Sequence, residues 1–380
     1  MEVNANNTYW VFKFSNHNLN NTNIRNIEIS SRDILKIIFQ QAIKIGNFDK
    51  LTNLKKLTIK NTEIEKIENL DELINLEYLN ISRNWKIRKI ENLDKFENLN
   101  TLIMIYTNIV KIENLDKLIN LVYLDLSYNL MFEQIENLHH LRNLKKSVLS
   151  HTKIEKIGNL ETLNNLEHLD LSYNLKIEKI GNLDVLINLK YLDLSHNSLI
   201  KKIKNLDILI NLEFLVFSSA GIIKIENLDR LVNLGDLNLS GNIITEISGL
   251  SKLTTLNKLN LSKNWINQIQ NFPNLTHLTI LELLNNTIFE IKNLSYLSNL
   301  EVLNLGSNKI DEEIETVEIM LSIDEEETER AQIQSFIELN SLNIDGLDYL
   351  DIEDPDLFEK LRNILLETLF DQESIAQLDE

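Results

Sequence analysis

The chain has 380 residues, a net charge of −19 and no cysteine. The missing cysteine excludes disulfide bonds, thiolate metal sites and a cysteine nucleophile. Leucine and isoleucine are abundant, but polar residues interrupt them before an apolar run of about 18 residues is reached, so no membrane-spanning helix is predicted.

The N-terminal segment, residues 1–44, is predicted to cap a larger structure. Tyr9 to Phe14 has the composition of a β-strand, and the apolar spacing from about Ser31 to Ala42 predicts a helix. Met1 to Trp10 carries Asn and Thr instead of a basic stretch followed by an apolar core. We therefore expect no secretory signal and a cytoplasmic location.

Residues 45–310 repeat a leucine-rich pattern with a period of 22 to 23 residues. The clearest copy reads Leu300-x-x-Leu303-x-Leu305-x-x-Asn308-x-Ile310. Such a period indicates a solenoid, in which every unit adds one strand and one return segment and buries its leucines only against its neighbours. Twelve units are predicted, with first leucines at Leu54, Leu76, Leu99, Leu121, Leu144, Leu166, Leu189, Leu212, Leu234, Leu256, Leu278 and Leu300.

A polar position recurs at the end of each predicted strand. A buried amide at this place can bond the backbone groups that are exposed where the strand turns into a loop. Thr62, Thr107 and Thr152 offer a hydroxyl there, whereas Ala220 offers no polar group, so the eighth unit is predicted to be a weak point. The other eight units carry Asn84, Asn129, Asn174, Asn197, Asn242, Asn264, Asn286 and Asn308.

The C-terminal segment, residues 311–380, contains 23 acidic and three basic residues, a net charge of −20. Residues 1–310 contain 34 acidic and 35 basic residues, so this segment accounts for the whole imbalance. Apolar residues recur at helical spacing after Asp354-Pro355, which predicts an acidic helical cap or tail, with disorder as the competing interpretation. The negative charge and the absence of a basic stripe argue against nucleic acid as a partner.

Two segments, Lys66–Leu76 (KIENLDELINL) and Lys111–Leu121 (KIENLDKLINL), resemble a known type of repeat. It is the 22-residue repeat of the leucine-rich regulatory subunit of protein phosphatase 1 and of bacterial internalins, and the resemblance covers about two thirds of the chain. It implies a curved α/β solenoid with a parallel β-sheet on the concave side and short 3₁₀ or irregular segments on the convex side. With a cap at each end, this is the predicted fold. The resemblance also implies protein–protein recognition without catalysis.

The chain departs from both relatives. After Ile310 it lacks the Asn-Pro and downstream aromatic pattern of the phosphatase regulator's cap, and it shows neither the secretion signal nor the wall-anchor motif of internalins. Thr316 to Glu326 resembles the helical tails of some bacterial leucine-rich proteins. Because no partner-specific motif carries over, the resemblance supports only the fold and the mode of binding.

The residues between the buried leucines point to the opposite face of the sheet, and aromatic residues concentrate there in units two to eight. Tyrosine is favoured where proteins dock, although it also suits a half-exposed sheet. Asp170 and Asp193 are expected about 5 Å apart, where a partner's basic group would relieve their repulsion; solvation alone is the competing interpretation. The predicted partner-binding residues are Tyr78, Tyr106, Tyr123, Asp125, Tyr128, His168, Asp170, Tyr173, Tyr191, Asp193 and Phe214. One of the outward columns reads Arg83, Tyr106, Tyr128, His151, Tyr173 and His196.

No catalytic residue, metal site, cofactor or small-molecule substrate is predicted. The nine glycines form none of the usual phosphate-binding or hydrolase motifs. His151 and His168 are expected roughly 15 Å apart, too far to share a metal ion. His139-His140 is interpreted as a surface substitution.

The sequence therefore predicts a non-enzymatic scaffold that binds a partner protein on the concave face, with no membrane or nucleic acid as partner. The alternative is a regulatory module. It would either be similar to the phosphatase regulator or use the acidic C-terminal helices as an autoinhibitory element or to bind a basic partner.

Overall fold

The computed structural model describes residues 10–14, 34–39, 51–269, 272–291, 294 and 297–310. The chain divides into two units, Met1–Glu325 and Glu326–Glu380, and all described residues belong to the first. The predicted acidic segment 311–380, with its helices, lies outside the described residues.

Sixteen β-strands occur in the described residues. They are β1 Trp10–Phe14, β2 Ile34–Phe39, β3 Lys56–Lys60, β4 Tyr78–Asn80, β5 Thr101–Ile103, β6 Tyr123–Asp125, β7 Lys146–Val148, β8 His168–Asp170, β9 Tyr191–Asp193, β10 Phe214–Val216, β11 Asp236–Asn238, β12 Lys258–Asn260, β13 Gln268–Ile269, β14 Ile280–Glu282, β15 Glu290–Ile291 and β16 Val302–Asn304. Fourteen of them form one sheet in chain order, and β13 pairs with β15 in a second, smaller sheet. The neighbouring strands are parallel, and each of the twelve predicted units contributes one strand to the large sheet, so the predicted solenoid is confirmed.

The N-terminal segment is only partly as predicted. Strand β1 lies within the predicted strand, but the helix predicted from Ser31 to Ala42 is wrong over Ile34–Phe39, which is strand β2. Strand β2 pairs in parallel with β1 on one side and with β3 on the other, so hydrogen bonds to two neighbours replace those of a helix. Its isoleucines and phenylalanine also suit a strand.

The return segments between the strands contain turns and bends, and no helix occurs in the ranges that the structure describes. The helical component of the predicted α/β class and the short 3₁₀ segments are therefore not found there. Single turns close the segments instead, for example through bonds from Leu73 N to Leu70 O (2.9 Å) and from Leu76 N to Leu73 O (3.0 Å). Nothing in these ranges forms a helix that could cross a membrane.

The leucine positions form one continuous core along the solenoid. Leu79, Leu102 and Leu124 are the central residues of β4, β5 and β6 and are fully buried. Their strand neighbours at the first position are partly exposed, so the predicted division of each strand into inner and outer residues is confirmed. Each buried leucine contributes about 1.5–3 kcal/mol to stability, but only because the adjacent unit covers it.

The predicted asparagine ladder is present. Asn129 is fully buried, and its Nδ2 donates to Leu126 O in the same unit and to Met104 O in the preceding unit, both at 2.8 Å. Its Oδ1 accepts a hydrogen bond from Thr107 Oγ1 at 2.6 Å. The amide thus links two units, and it satisfies carbonyls that would each cost about 1–3 kcal/mol if they were buried without a donor.

The eighth unit keeps most of the ladder despite Ala220. The backbone N of Ala220 donates to Asn242 Oδ1 at 3.1 Å, and Asn242 Nδ2 donates to Phe217 O at 2.8 Å. The carbonyl of Phe217 thus keeps one side-chain donor, whereas the equivalent Leu239 O accepts from two, Asn242 and Asn264. Leu194 O also has one side-chain donor, Asn197 Nδ2 at 2.9 Å. The eighth unit is thus destabilised less than the absence of a polar side chain at Ala220 predicts.

Candidate protein-binding surface

Directly before each ladder position, one residue has a left-handed backbone, with φ between 52° and 67°. This conformation brings Cβ close to the following carbonyl and costs roughly 1–2 kcal/mol in residues other than glycine, although asparagine tolerates it well. The twelve residues are Asn61, Arg83, Tyr106, Tyr128, His151, Tyr173, His196, Ser219, Gly241, Lys263, Asn285 and Ser307.

Five consecutive units place an aromatic ring at this position. We name Tyr106, Tyr128, His151, Tyr173 and His196 the ring column. Successive ring centroids lie 4.2, 4.0, 3.9 and 3.9 Å apart, with interplanar angles between 14° and 20°, so the rings are stacked. Tyr106 is 48% exposed and Tyr173 is 38% exposed, so the column offers ring surface to the solvent.

The left-handed turn does not require an aromatic side chain. The equivalent positions outside units three to seven carry small, amide or flexible charged side chains, among them Gly241 and Asn285. Stacking of adjacent rings contributes about 0.5–1.5 kcal/mol for each pair and offsets the backbone cost only in part. The left-handed backbone itself recurs in all twelve units, so the side chains that occupy it distinguish units three to seven from the rest.

A second set of rings lies at the first position of the strands; we name Tyr78, Tyr123, His168, Tyr191 and Phe214 the strand row. The rings of His168 and Tyr191 are stacked with centroids 4.1 Å apart, and Phe214 lies 6.3 Å from Tyr191 in a tilted arrangement. Phe214 is exposed, and the other four are partly exposed. The row is therefore continuous over β8, β9 and β10.

Non-aromatic residues interrupt the strand row in the earlier units. Thr101 pairs with both Tyr78 and Tyr123 and so separates these two rings by one strand. Lys146 separates Tyr123 from His168, and its ammonium nitrogen lies 5.5 Å from the centroid of the Tyr123 ring. At this distance the cation and the ring attract each other.

Asp125 was predicted to contact a partner, but in the structure its carboxylate is buried and bonded within the chain. It is 5% exposed. One carboxylate oxygen accepts from the Tyr123 hydroxyl at 2.9 Å, and the other accepts from the backbone N and the hydroxyl of Ser127 at 3.0 and 2.7 Å. Both oxygens are occupied, so Asp125 positions the Tyr123 ring and is poorly placed to bind a partner.

Asp170 and Asp193 are register partners on β8 and β9, as the sequence predicted. Asp193 accepts from the Tyr191 hydroxyl at 3.3 Å and from Ser195 N at 2.8 Å. Burial raises the pKa of Asp193, and the charge of Asp170 raises it further.

Asp170 is bonded less completely because its unit carries His168 where the neighbouring unit carries a tyrosine. Its Oδ1 accepts from Ser172 N at 2.9 Å, and among the residues that the structure describes no side chain donates to its other oxygen. Asp170 therefore has a carboxylate oxygen available to a partner.

Burial lowers the pKa of two histidines of this surface. The pKa of His168 is lowered to about 4, first by burial and then by the charge of Lys146, against the opposing effect of Asp170. The pKa of His151 is also lowered, mainly by burial. The surface thus places the uncharged ring of His168 on the same strand as the carboxylate of Asp170.

Sequence reasoning found most of these residues but missed part of their arrangement. The ring column contains Tyr106, Tyr128 and Tyr173 from the predicted site, together with His151 and His196, which the predicted site omitted. The signal was the spacing of 22 or 23 residues that these two histidines share with the tyrosines.

Comparison with known proteins identifies the repeat. Residues 165–208, which include β8 and β9, match the family model described as Leucine Rich repeats (2 copies). The solenoid contains leucine-rich repeats. A search of curated proteins gave no matching sequence.

Solved structures share the fold over most of the described chain. An internalin, InlF from Listeria monocytogenes, is 27% identical with a TM-score of 0.54, covering 71% of this chain and 86% of the internalin. A leucine-rich repeat protein from Leptospira interrogans is 22% identical with a TM-score of 0.55, covering 74% and 86%. The functional domain of InlJ from Listeria monocytogenes is 19% identical with a TM-score of 0.56, covering 72% and 62%. The predicted resemblance to internalins is therefore confirmed for the fold.

Proposed function

We propose that this protein is a non-catalytic scaffold that binds a partner protein on the solvent-facing side of its sheet, in units two to eight. The ring column carries the proposal. Its five rings occupy a backbone conformation that glycine or asparagine would adopt at lower cost. Side chains kept at such a cost are better explained by what they contact than by folding.

The chemistry of the surface suits a protein partner. Stacked tyrosines and histidines provide large, rigid contact areas that lose little conformational entropy on binding. The free oxygen of Asp170 adds a hydrogen-bond acceptor and a negative charge, which favours a basic side chain at the centre of the contact. A solenoid presents such residues along an extended row of strands.

The proposed surface differs slightly from the predicted site. It retains Tyr78, Tyr106, Tyr123, Tyr128, His168, Asp170, Tyr173, Tyr191 and Phe214, adds His151 and His196, and assigns Asp125 a supporting role. Asp193 is partly exposed, but its carboxylate is bonded by the Tyr191 hydroxyl and by Ser195, so it is also assigned a supporting role. The regulatory alternative stays a prediction. The comparisons do not test a role similar to that of the phosphatase regulator, and the acidic segment on which the other form depends lies outside the described residues.

Replacing rings of the column tests the proposal. The double variant Tyr128→Asn/Tyr173→Asn keeps side chains that tolerate the left-handed backbone, so it should remain folded while losing partner binding. The measurement is affinity capture with crosslinking from lysate of the source cells, using the full-length wild type, the double variant and Lys263→Asn. Lys263→Asn is the matched control, because residue 263 has the same left-handed backbone outside the ring column.

The expected result is a set of proteins captured by the wild type and by Lys263→Asn but not by the double variant. Circular dichroism and thermal unfolding of all three proteins establish that they are equally folded. Equal capture by all three would show that the ring column does not bind the partner.

A further inference from the structure

A cluster of Asp116, His139 and His140 lies in the turns that lead into β6 and β7. Their ligand atoms, one from each side chain, all lie within 4.8 Å of one another. Nε2 of His140 is 3.7 Å from a carboxylate oxygen of Asp116. No other group of three histidine or acidic side chains is this close in the ranges that the structure describes.

The backbone holds the three residues in place. Leu118 N bonds Leu115 O at 3.0 Å around Asp116, and Leu141 N bonds Leu138 O at 2.9 Å around the two histidines. All four leucines are fully buried. The two turns occupy equivalent positions in adjacent units, so stacking of the units brings the side chains together, and only side-chain rotations remain free.

The two histidines depart from the repeat. At the same two positions, other units carry Asp71-Glu72, Asp94-Lys95, Asp116-Lys117 and Asp207-Ile208. Unit five replaces an acidic residue and its neighbour with two imidazoles, whose centroids lie 4.0 Å apart, directly beside the carboxylate of the preceding unit. The result is a mixed nitrogen and oxygen donor set that the neighbouring turns do not have.

We propose that Asp116, His139 and His140 bind a divalent transition-metal ion, for which zinc is the best fit. Zinc takes imidazole nitrogen and carboxylate oxygen as ligands and is bound at many sites by three protein groups and a water molecule. Magnesium and calcium prefer oxygen ligands and fit two imidazoles poorly. The ion joins units four and five on the turn side, so the site is independent of the proposed protein-binding surface.

This proposal replaces the prediction that His139-His140 is a surface substitution without ligand function. The expectation of no metal site rested on the separation of His151 and His168 and on the interpretation of His139-His140 as a surface substitution. It did not consider that the turn of the preceding unit places a carboxylate beside the histidine pair.

Isothermal titration of the full-length protein with zinc chloride tests the site. The wild type should show saturable binding of one ion, and magnesium should not compete. His139→Ala and His140→Ala should each weaken zinc binding by more than about tenfold, since even groups that only orient a metal ligand are worth about 10- to 100-fold in affinity. Asp116→Asn should weaken it less, because an amide oxygen can still coordinate.

His277→Ala is the matched control, because it removes an exposed histidine from a turn of a different unit. It should leave zinc affinity unchanged. Nuclear magnetic resonance of the histidine ring protons distinguishes zinc binding at this site from zinc binding by the acidic residues 311–380. At one equivalent of zinc, only the resonances of His139 and His140 should shift. Equal zinc affinity in the wild type and the double variant His139→Ala/His140→Ala, or shifts at other histidines, would overturn the proposal.

Discussion

Units three to seven and units nine to twelve have the same interior but different outer faces. Asn174 and Asn264 donate to the carbonyls of their own and the preceding unit at nearly equal distances, 3.0 and 3.0 Å against 3.0 and 2.9 Å. Both regions also repeat the left-handed turn. Only the first region places rings there. Folding therefore fixes the interior and the turn, and it leaves the outward side chain free to serve binding.

A second column of residues changes close by. The first strand positions of units nine to twelve are Asp236, Lys258, Ile280 and Val302, so the aromatic strand row ends with Phe214 in the eighth unit, one unit after the ring column ends with His196. The strand row and the ring column are five residues apart in each unit and have no structural reason to end within one unit of each other. Their neighbouring boundaries indicate that one surface is built from both.

The largest expected effect is the loss of stability on removing a ladder asparagine. It tests whether the interiors of units three to seven and of units nine to twelve are equivalent. Asn174→Ala and Asn264→Ala should each lower the free energy of unfolding by about 3 kcal/mol, because two or more buried groups lose their partner. Chemical denaturation followed by circular dichroism measures both, with Asn267→Ala as a control at an exposed position. A loss in one region that is several times the loss in the other would show that the interiors differ.

The second prediction exchanges the outward side chains between the regions. Asn285→Tyr should destabilise the protein by about 1 kcal/mol, because a ring takes on the left-handed backbone without stacked neighbours to offset it. Tyr173→Asn should change stability by less, since it loses stacking but relieves the backbone. Thermal unfolding compares the two variants. A stabilising Asn285→Tyr would mean that the turn tolerates any residue and that the ring column carries no backbone cost.

The interior could be predicted from the sequence because the same pattern of buried residues recurs in all twelve units. The leucine period gave the units, the strands and the asparagine ladder, since burial requires the same residue types at the same positions in every unit. Strand β2 was mistaken for a helix because its pairing partner is set by distant residues. Local apolar spacing does not contain that information.

The candidate surface was predicted less completely. The tyrosines were found by counting along the strands, but the stacking of His151 and His196 depends on the left-handed φ, which a pattern of residue types does not reveal. The burial of Asp125 also depends on a bond from the Tyr123 hydroxyl that lies two residues away on the same strand. Side-chain partners of this kind appear only once the backbone is placed.

The smallest predicted effect concerns pH and distinguishes the two regions through His168. Its pKa of about 4 in the folded chain lies below the value of about 6.5 expected when it is exposed, so the unfolded chain binds the proton more readily. The stability that depends on neutral His168 is therefore present above pH 6.5 and is lost as the pH falls from about 6.5 to 4.

His168→Phe keeps a ring beside Tyr191 and removes the titrating group. It should lose less stability than the wild type between these pH values, by on the order of 0.5 kcal/mol, because the ring is partly exposed and water screens its charge. Denaturation at a series of pH values gives the difference, in which the carboxylates common to both proteins cancel. Ile280→Phe changes the equivalent strand position in the ring-free region without removing a titrating group and should follow the wild type. If His168→Phe also follows the wild type, His168 is hydrated in the folded chain, and the aromatic surface is more open than its packed rings indicate.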